Sequence, residues 1–225
     1  MAQRLSHPLS LAHAELFVGE LRKYRREAHA AQENAASVIA LSVEHGFPHW
    51  LAEATSLRGW AMAEQGRSEE GIAHLQEGLA AVRATGAEVV RPYYLCLLAE
   101  AYMETGRLDD GLNALTEALA AADEHENRHY EAEIHRLRGE LLLKQDDSNA
   151  AEARSCFERA IEIARRQSSE SLELRATMGL ARLLAKNGCR DEGRTMLAEI
   201  YNWFTEGFDT ADLKDAKAQL EELAE

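Results

Sequence analysis

Metal binding is the first chemistry that the residue types suggest, because Asp123, His125, His129 and His135 lie close together in the sequence. Imidazole nitrogens and carboxylate oxygens are ordinary ligands of zinc and nickel. The two later histidines flank a predicted helix start, however, which is the pattern of solvated histidines in loops and at helix ends. The spacing favours this second interpretation, and we predict no metal and no other cofactor.

Paired carboxylates, at 69–70, 109–110 and 221–222, are the second candidate for chemistry. General acid–base catalysis needs a desolvated carboxylate with a shifted pKa in a cleft. These pairs fall instead at predicted helix starts or on exposed faces. At a helix start, acidic side chains interact favourably with the helix dipole and stabilise the helix. The sequence also lacks the GxxxxGK[ST], GxGxxG, HExxH and GxSxG motifs. We therefore predict that the protein is not an enzyme.

The net charge argues against two classes of partner. The 225 residues include 39 acidic and 25 basic side chains, which gives a formal charge of −14. Nucleic acids and anionic membranes attract Lys-rich and Arg-rich proteins, so neither is an expected partner. The dense basic run at 22–26 is interpreted as a solvated helix end, with contact to an acidic partner as the alternative. Without a signal-peptide pattern or a membrane-spanning apolar run, the expected location is cytoplasmic.

An internal repeat of about 40 residues organises the chain. Similar turns lie at 66–71, 106–111 and 188–193, and small residues recur in register on both sides of each turn. They are Gly19, Gly59, Ala99, Gly139 and Ala181 before the turns, and Ala31, Gly71, Gly111, Ala153 and Gly193 after them. Small residues on successive helices allow the backbones to approach closely. Each repeat is therefore predicted to be a hairpin of two helices.

The composition agrees with an all-α protein, since the chain has only 3 prolines and 14 glycines. The predicted hairpins span about 8–45, 48–84, 88–124, 127–167 and 169–204. A last amphipathic stretch, at about 210–224, carries Leu213, Ala216, Leu220 and Leu223 on one face. Because a helical array must end in a unit with a polar outer face, this stretch is predicted to be a capping helix. We expect one domain over 1–225.

These patterns resemble the tetratricopeptide repeat (TPR), a helix-turn-helix unit with small residues in both helices. The best match is in the third repeat, at Leu98, Ala99, Tyr102, Gly106, Gly111, Leu115, Ala118 and Leu119. The departures are the longer period, Gly where the turn usually has Ala, and Arg26 where the first turn should have Gly. The resemblance implies a right-handed α-α superhelix whose first helices line a concave groove for peptides or partner helices.

A narrower resemblance is carried by the segments at 4–8, 46–48, 57–61 and 201–208. They are similar to the C-terminal helical-repeat regions of large bacterial signalling proteins. In those proteins an adenylate or guanylate cyclase, or a DNA-binding module, is joined to a nucleotide-binding ATPase and then to the repeats. The resemblance implies that this chain corresponds to the repeat region alone, either as an excised domain or as a stand-alone relative.

The implied groove positions follow from steps of one repeat along the first helices. The candidate binding residues are Glu20, Tyr24, Glu53, Trp60, Glu64, Tyr93, Glu100, Glu104, Glu133, Glu140, Arg175 and Arg182. Their charges predict a groove that is acidic in the middle and basic towards the C-terminal end. The aromatic side chains at 60 and 93 have two interpretations, core packing and anchoring of a ligand, because aromatics are enriched at binding hot spots.

The function predicted from these patterns is a non-enzymatic scaffold that binds proteins or peptides, as a regulatory module of a bacterial signalling protein. The expected ligand is a basic or bipolar peptide with an apolar anchor. Other domains of a larger parent protein and a second copy of the chain are further candidate partners. The alternative function is a sensor domain for a small ligand or peptide in a transcriptional regulator or cyclase.

Overall fold

The computed structural model describes residues 7–224, which contain eleven α-helices and no β-strand. In chain order the helices are α1 (Pro8–Tyr24), α2 (Ala28–His45), α3 (Pro48–Glu64), α4 (Ser68–Ala84), α5 (Arg91–Glu104), α6 (Leu108–Glu124), α7 (Glu131–Gln145), α8 (Ala150–Arg166), α9 (Glu170–Lys186), α10 (Arg190–Tyr201) and α11 (Ala211–Glu222). The two helices of each repeat pack together, as α1–α2, α3–α4, α5–α6, α7–α8 and α9–α10. The predicted all-α fold of five hairpins and a C-terminal helix is confirmed.

Close backbone approach explains the repeated small residues, as Gly59 of α3 and Gly71 of α4 demonstrate. A Cβ atom added to Gly59 would lie 2.7 Å from the carbonyl oxygen of Gly71, and one added to Gly71 would lie 2.6 Å from that of Gly59. Both distances are shorter than non-bonded atoms tolerate. The two helices of this hairpin can therefore pack at this distance only without side chains at either position.

The turns adopt left-handed backbone about every 20 residues. Gly46, Gly66, Gly86 and Gly106 have φ angles of 70°, 82°, 75° and 75°. Glycine reaches this region without a steric cost. Arg26 adopts the same region, with φ of 58°, at the position where the sequence lacks the turn glycine. The repeat geometry is thus retained at a residue that pays a conformational penalty for it.

Two first helices begin later than the sequence predicts. The predicted helix at 88–105 starts with a 3₁₀ turn, and α5 proper begins at Arg91 with a proline in its first turn. The predicted helix at 127–145 begins at Glu131, because the side chain of Asn127 accepts a hydrogen bond from the amide of His129 at 3.3 Å. Such local side-chain bonds favour turns over helix.

Contacts divide the chain into two compact units, Met1–Glu126 and Asn127–Glu225. In the first unit, α3 packs on both α1 and α2, and α5 packs on both α3 and α4. In the second unit, α9 packs on both α7 and α8. Each of these first helices therefore buries one face against the hairpin that precedes it.

The last helix covers the final hairpin, as predicted. Leu213, Ala216 and Leu223 of α11 are buried in one cluster with Leu197 and Ile200 of α10. The opposite side of α11 is charged and exposed, through residues such as Lys214, Asp215, Lys217 and Glu221. Between residues 7 and 224, no helix has both the length and the apolar content needed to cross a bilayer.

Candidate functional site

The candidate site lies in the first unit, on the side where the first helices α1, α3 and α5 bring their polar side chains together. The hydroxyl of Tyr93 in α5 donates a hydrogen bond to the carboxyl group of Glu20 in α1. Glu53 of α3 is close enough to Glu20 for the charge of Glu20 to raise the pKa of Glu53. Candidate groove residues from three successive repeats therefore meet in this unit. We call Glu20, Glu53 and Tyr93 the acid–tyrosine cluster.

Both carboxyl groups of the cluster are buried. Glu53 is only 8% exposed, and one oxygen of Glu20, Oε1, is buried without a hydrogen-bond partner among residues 7–224. Burial raises the pKa of Glu20, against the opposing effects of the Tyr93 hydrogen bond and the charge of Lys23. Burial and the charge of Glu20 raise the pKa of Glu53 to about 7. The cluster therefore favours neutral carboxyl groups or an added cation.

Tyr93 remains a hydrogen-bond donor because its hydroxyl is held in the protonated form. Burial, followed by the charge of Glu20, raises the pKa of Tyr93 well above its ordinary value. A neutral phenol beside a carboxylate stabilises the charged form of that carboxylate without supplying a positive charge. Raised pKa values favour the protonated forms of all three residues, and none of the three is an activated nucleophile.

One cation of the protein already lies beside the cluster. The ammonium group of Lys23 lies 4.1 Å from the ring centre of Tyr24 and 4.7 Å from that of Tyr93. Both distances are typical of cation–π contacts. Lys23 is only 7% exposed, so its charge acts in a desolvated environment. The buried charges of the site thus include one lysine as well as the two glutamates.

Lys23 is the functional-site residue that sequence analysis missed, because it was assigned to a solvated basic run. Repeat stepping contains the missing signal. The positions one and two repeats later are Ala63 and Met103, and both are half-buried. A lysine at an equivalent position is therefore expected to lie along the helix packing, with its stem on apolar surface.

The other candidates in the first unit fall into two groups by exposure. Trp60 is 4% exposed and Tyr93 is 6% exposed, as the core-packing interpretation expects. Tyr24 is 43% exposed, and Glu64 and Glu104 are also exposed. Glu100 is intermediate. Of these, Tyr24 lies next to the acid–tyrosine cluster through Lys23, whereas Glu64 and Glu104 lie at the C-terminal ends of α3 and α5.

In the second unit, the candidate residues pair with each other. Arg175 of α9 contacts Glu133 of α7 at 3.1 Å and Asp212 of α11 at 2.8 Å. Arg136 also donates two hydrogen bonds of 2.8 Å to Glu133. All four side chains are at most 16% exposed. This network joins α7, α9 and α11. Its charged groups form ion pairs with each other within the protein.

The remaining two candidates form a second pair. Arg182 of α9 donates a 2.7 Å hydrogen bond to Glu140 of α7, and Arg182 also contacts the side chain of Gln219 at 3.4 Å. The sequence predicted acidic and basic regions of a groove, but in this unit the acids and arginines at the predicted positions are neighbours. Glu140 and Arg182 occupy equivalent positions of consecutive first helices, which brings the two side chains within reach of each other.

Metal binding finds no support in the geometry. Within residues 7–224, no group of three or more His, Cys, Asp or Glu side chains has an arrangement that could hold a metal ion. His135, one of the histidines considered from the sequence, has its pKa lowered by burial.

The helix hairpins are similar to those of several solved structures. A Rap protein complexed with Competence and Sporulation Factor superimposes with a TM-score of 0.70 at 10% identity, over 99% of this chain and 66% of that protein. PilF of Pseudomonas aeruginosa gives 0.60 at 12% identity, over 96% and 90%. TPR-like repeats of a Podosopora anserina putative kinesin light chain give 0.58 at 18% identity, over 86% and 94%. The fold is TPR-like.

Sequence comparison finds one long relative of this TPR-like chain. An uncharacterized protein of Rhizobium meliloti (strain 1021) is 27% identical over 183 residues, which cover 80% of this chain and 17% of that protein. The chain thus spans about one sixth of its relative's length. No protein-family model matches the chain.

Proposed function

We propose that this chain is a non-enzymatic module that binds a protein or peptide on the first-helix side of residues 7–126. The observation that carries the proposal is the acid–tyrosine cluster, in which two buried carboxyl groups from different repeats lie together. A cationic side chain of a ligand would relieve their repulsion, and the buried Glu20 oxygen would gain a partner. The ligand class is therefore a peptide segment with a lysine or arginine.

Exposed acids elsewhere on the same first helices support the same ligand class. Glu64 and Glu104 occupy equivalent positions at the C-terminal ends of α3 and α5, and both are exposed. Negative charge near a binding surface raises the association rate of a basic ligand and makes it depend on salt. Tyr24, 43% exposed at the end of α1, offers an aromatic surface beside Lys23 and the cluster. An apolar anchor next to the basic residue of the ligand fits this surface.

The wider setting that we propose is a larger bacterial signalling protein, in which this module is regulatory. Two observations support it: the segments similar to the repeat regions of cyclase and ATPase fusions, and the much greater length of the Rhizobium meliloti relative. The Rap structure is a complex with Competence and Sporulation Factor, and binding of a partner by a TPR-like fold is what we propose for this chain.

The test is a binding screen against short basic, neutral and acidic peptides, each with one apolar anchor. The variant is Glu64→Lys with Glu104→Lys, which reverses two exposed charges at the C-terminal ends of α3 and α5. The matched control is Glu33→Lys with Glu70→Lys, which makes the same change at exposed positions of α2 and α4. Melting of both variants is measured first, to establish that they fold as the parent does.

The proposal expects the parent and the control to bind the basic peptides, and the site variant to bind them at least tenfold more weakly with a reduced salt dependence. Equal binding by the two variants would place the site elsewhere. A small molecule retained by the parent in native mass spectrometry, combined with no peptide binding, would favour the sensor alternative instead.

A further inference from the structure

An exposed apolar stripe lies on α1, the first helix of the array. Ala14, Phe17 and Leu21 follow one another at spacings of three and four residues, so they share one face of the helix. All three are exposed, Phe17 by 60% and Leu21 by 61%. We call these three residues the α1 stripe. Scattered exposed apolar residues are common on proteins, but a contiguous stripe marks an interaction surface.

The equivalent residues of the next two first helices are buried. In α3 they are Ala54, Leu57 and Ala61, each 0% exposed, and in α5 they are Tyr94, Leu97 and Ala101, at most 3% exposed. The face that is bare on α1 is therefore the face that later repeats bury.

The partner of that face is known in the later repeats. Helix α3 packs on both helices of the preceding hairpin, α1 and α2. A Cβ added to Gly19 of α1 would lie 2.6 Å from Leu57 Cδ2, so the Leu57 side chain sits directly on the glycine of the preceding first helix. The equivalent of Leu57 on α1 is Phe17. Its face has the composition and position to receive a preceding hairpin in the same way.

The two ends of the array are unlike. At the C-terminal end, α11 covers the last hairpin and turns charged residues outward. Among residues 7–224, nothing buries the α1 stripe in this manner. Terminal repeats of helical arrays need a polar outer face for solubility, and α1 has the face of an internal repeat.

We propose that the α1 stripe is a docking surface for one further helix hairpin of this same repeat, placed before α1 as the hairpin α1–α2 is placed before α3. The first helix of that hairpin would carry a small residue at the position equivalent to Gly19, and Phe17 would pack on this residue. Its second helix would cover Leu21. This inference is independent of the ligand proposed for the acid–tyrosine cluster, since it concerns the opposite kind of surface, apolar and at the end of the array.

The test extends the full chain by a second copy of residues 7–46, inserted directly before residue 7. The inserted segment is a copy of the hairpin α1–α2, which packs on α3, and this copy can pack on the original α1 in the same way. Because Phe17 and Leu21 are larger than Leu57 and Ala61, a second extended chain carries Phe17→Leu with Leu21→Ala in the original copy. We expect at least one extended chain to melt higher than its unextended parent, by on the order of 5 °C.

Charged variants show whether the gain comes from the stripe. Phe17→Glu with Leu21→Glu in the original copy is expected to remove the gain in the extended chain and to leave melting of the unextended chain nearly unchanged. Val43→Glu is the matched control, because Val43 is 67% exposed and its equivalents Arg83 and Asp123 are also exposed. It should change neither chain.

Three results would overturn the proposal. One is that neither extended chain melts higher than its parent. Another is that the gain survives Phe17→Glu with Leu21→Glu. The third concerns the unextended chain in sedimentation velocity: a dimer that the same double substitution dissociates would identify a second copy as the occupant of the stripe.

Discussion

The hydroxyl of Tyr93 donates a hydrogen bond to the carboxyl group of Glu20, a residue 73 positions earlier in the chain. The bond joins the first helix of the first repeat to the first helix of the third, and Glu53 of the intervening repeat lies beside it. A contact between alternate repeats requires that the first helices converge on this side. The polar cluster therefore depends on the packing of three hairpins, and no single hairpin could form it.

The contribution of this bond to stability is measurable. Tyr93→Phe leaves a buried carboxyl without its donor, which we expect to lower the free energy of unfolding by about 1–3 kcal/mol. Glu20→Met removes the polar partner as well, so Tyr93→Phe in that background should cost clearly less. Urea unfolding of the parent, the two single variants and the double variant gives the coupling energy. Additive effects would mean that the two side chains do not interact in solution.

The raised pKa of Glu53 predicts how stability depends on pH. Its pKa rises from 4.5 in the unfolded chain to about 7 in the folded protein, so between these values the folded state binds more protons. Stability from this group is therefore fully present below pH 4.5 and is lost as the pH rises through 7. The shift corresponds to about 3 kcal/mol at most.

Glu53→Gln removes this dependence, and we expect it to stabilise the protein at pH 8 relative to the parent and much less at pH 5. Burial lowers the pKa of the neighbouring His49, which makes that ring neutral at pH 8, so the loss of its contact with Glu53 does not offset the gain. Glu69→Gln, at an exposed position of the same unit, is the control. A difference between Glu53→Gln and the parent that is the same at both pH values would contradict the buried carboxyl.

The left-handed turn at Arg26 predicts a stabilising substitution. Arg26→Gly should raise the free energy of unfolding by about 1 kcal/mol relative to Arg26→Ala, since both lack the side chain and only glycine avoids the strain at φ of 58°. The reverse change, Gly66→Ala, introduces the same strain at φ of 82° with no atom within 4 Å of the new methyl group. It should destabilise by a similar amount. Thermal melts of the three variants and the parent decide this, and equal stability of the two Arg26 variants would contradict the left-handed turn.

The repeat made most of the fold predictable, because a small residue at a helix crossing has one structural consequence. Gly59 and Gly71 were expected at a close crossing, and their backbones do approach so closely that neither position has room for a Cβ atom. Helix starts were less predictable where a local bond competes with the helix, as at Asn127. A single side-chain hydrogen bond there moves the boundary by four residues relative to the prediction.

Stepping along the repeat gave candidate positions on the first helices but not which of them meet. It placed Glu20 in one row and Glu53 and Tyr93 in the row beside it, and it did not predict that Tyr93 bonds to Glu20. It could not show that Glu53 is buried, because the pattern of a glutamate among apolar residues is that of an exposed face. Nor could it show that Arg182 pairs with Glu140. Equivalent positions bring two side chains near each other, but they do not fix the side-chain conformations that join them.

Hydrogen–deuterium exchange of the full chain, with and without the basic peptide that binds most tightly in the screen, tests whether the first helices of residues 7–126 bind the ligand. We expect added protection at α1, α3 and α5, near Glu20, Glu53 and Tyr93, and little change at α2, α4 and α6. Protection confined to the second helices, or to residues 127–224, would contradict it.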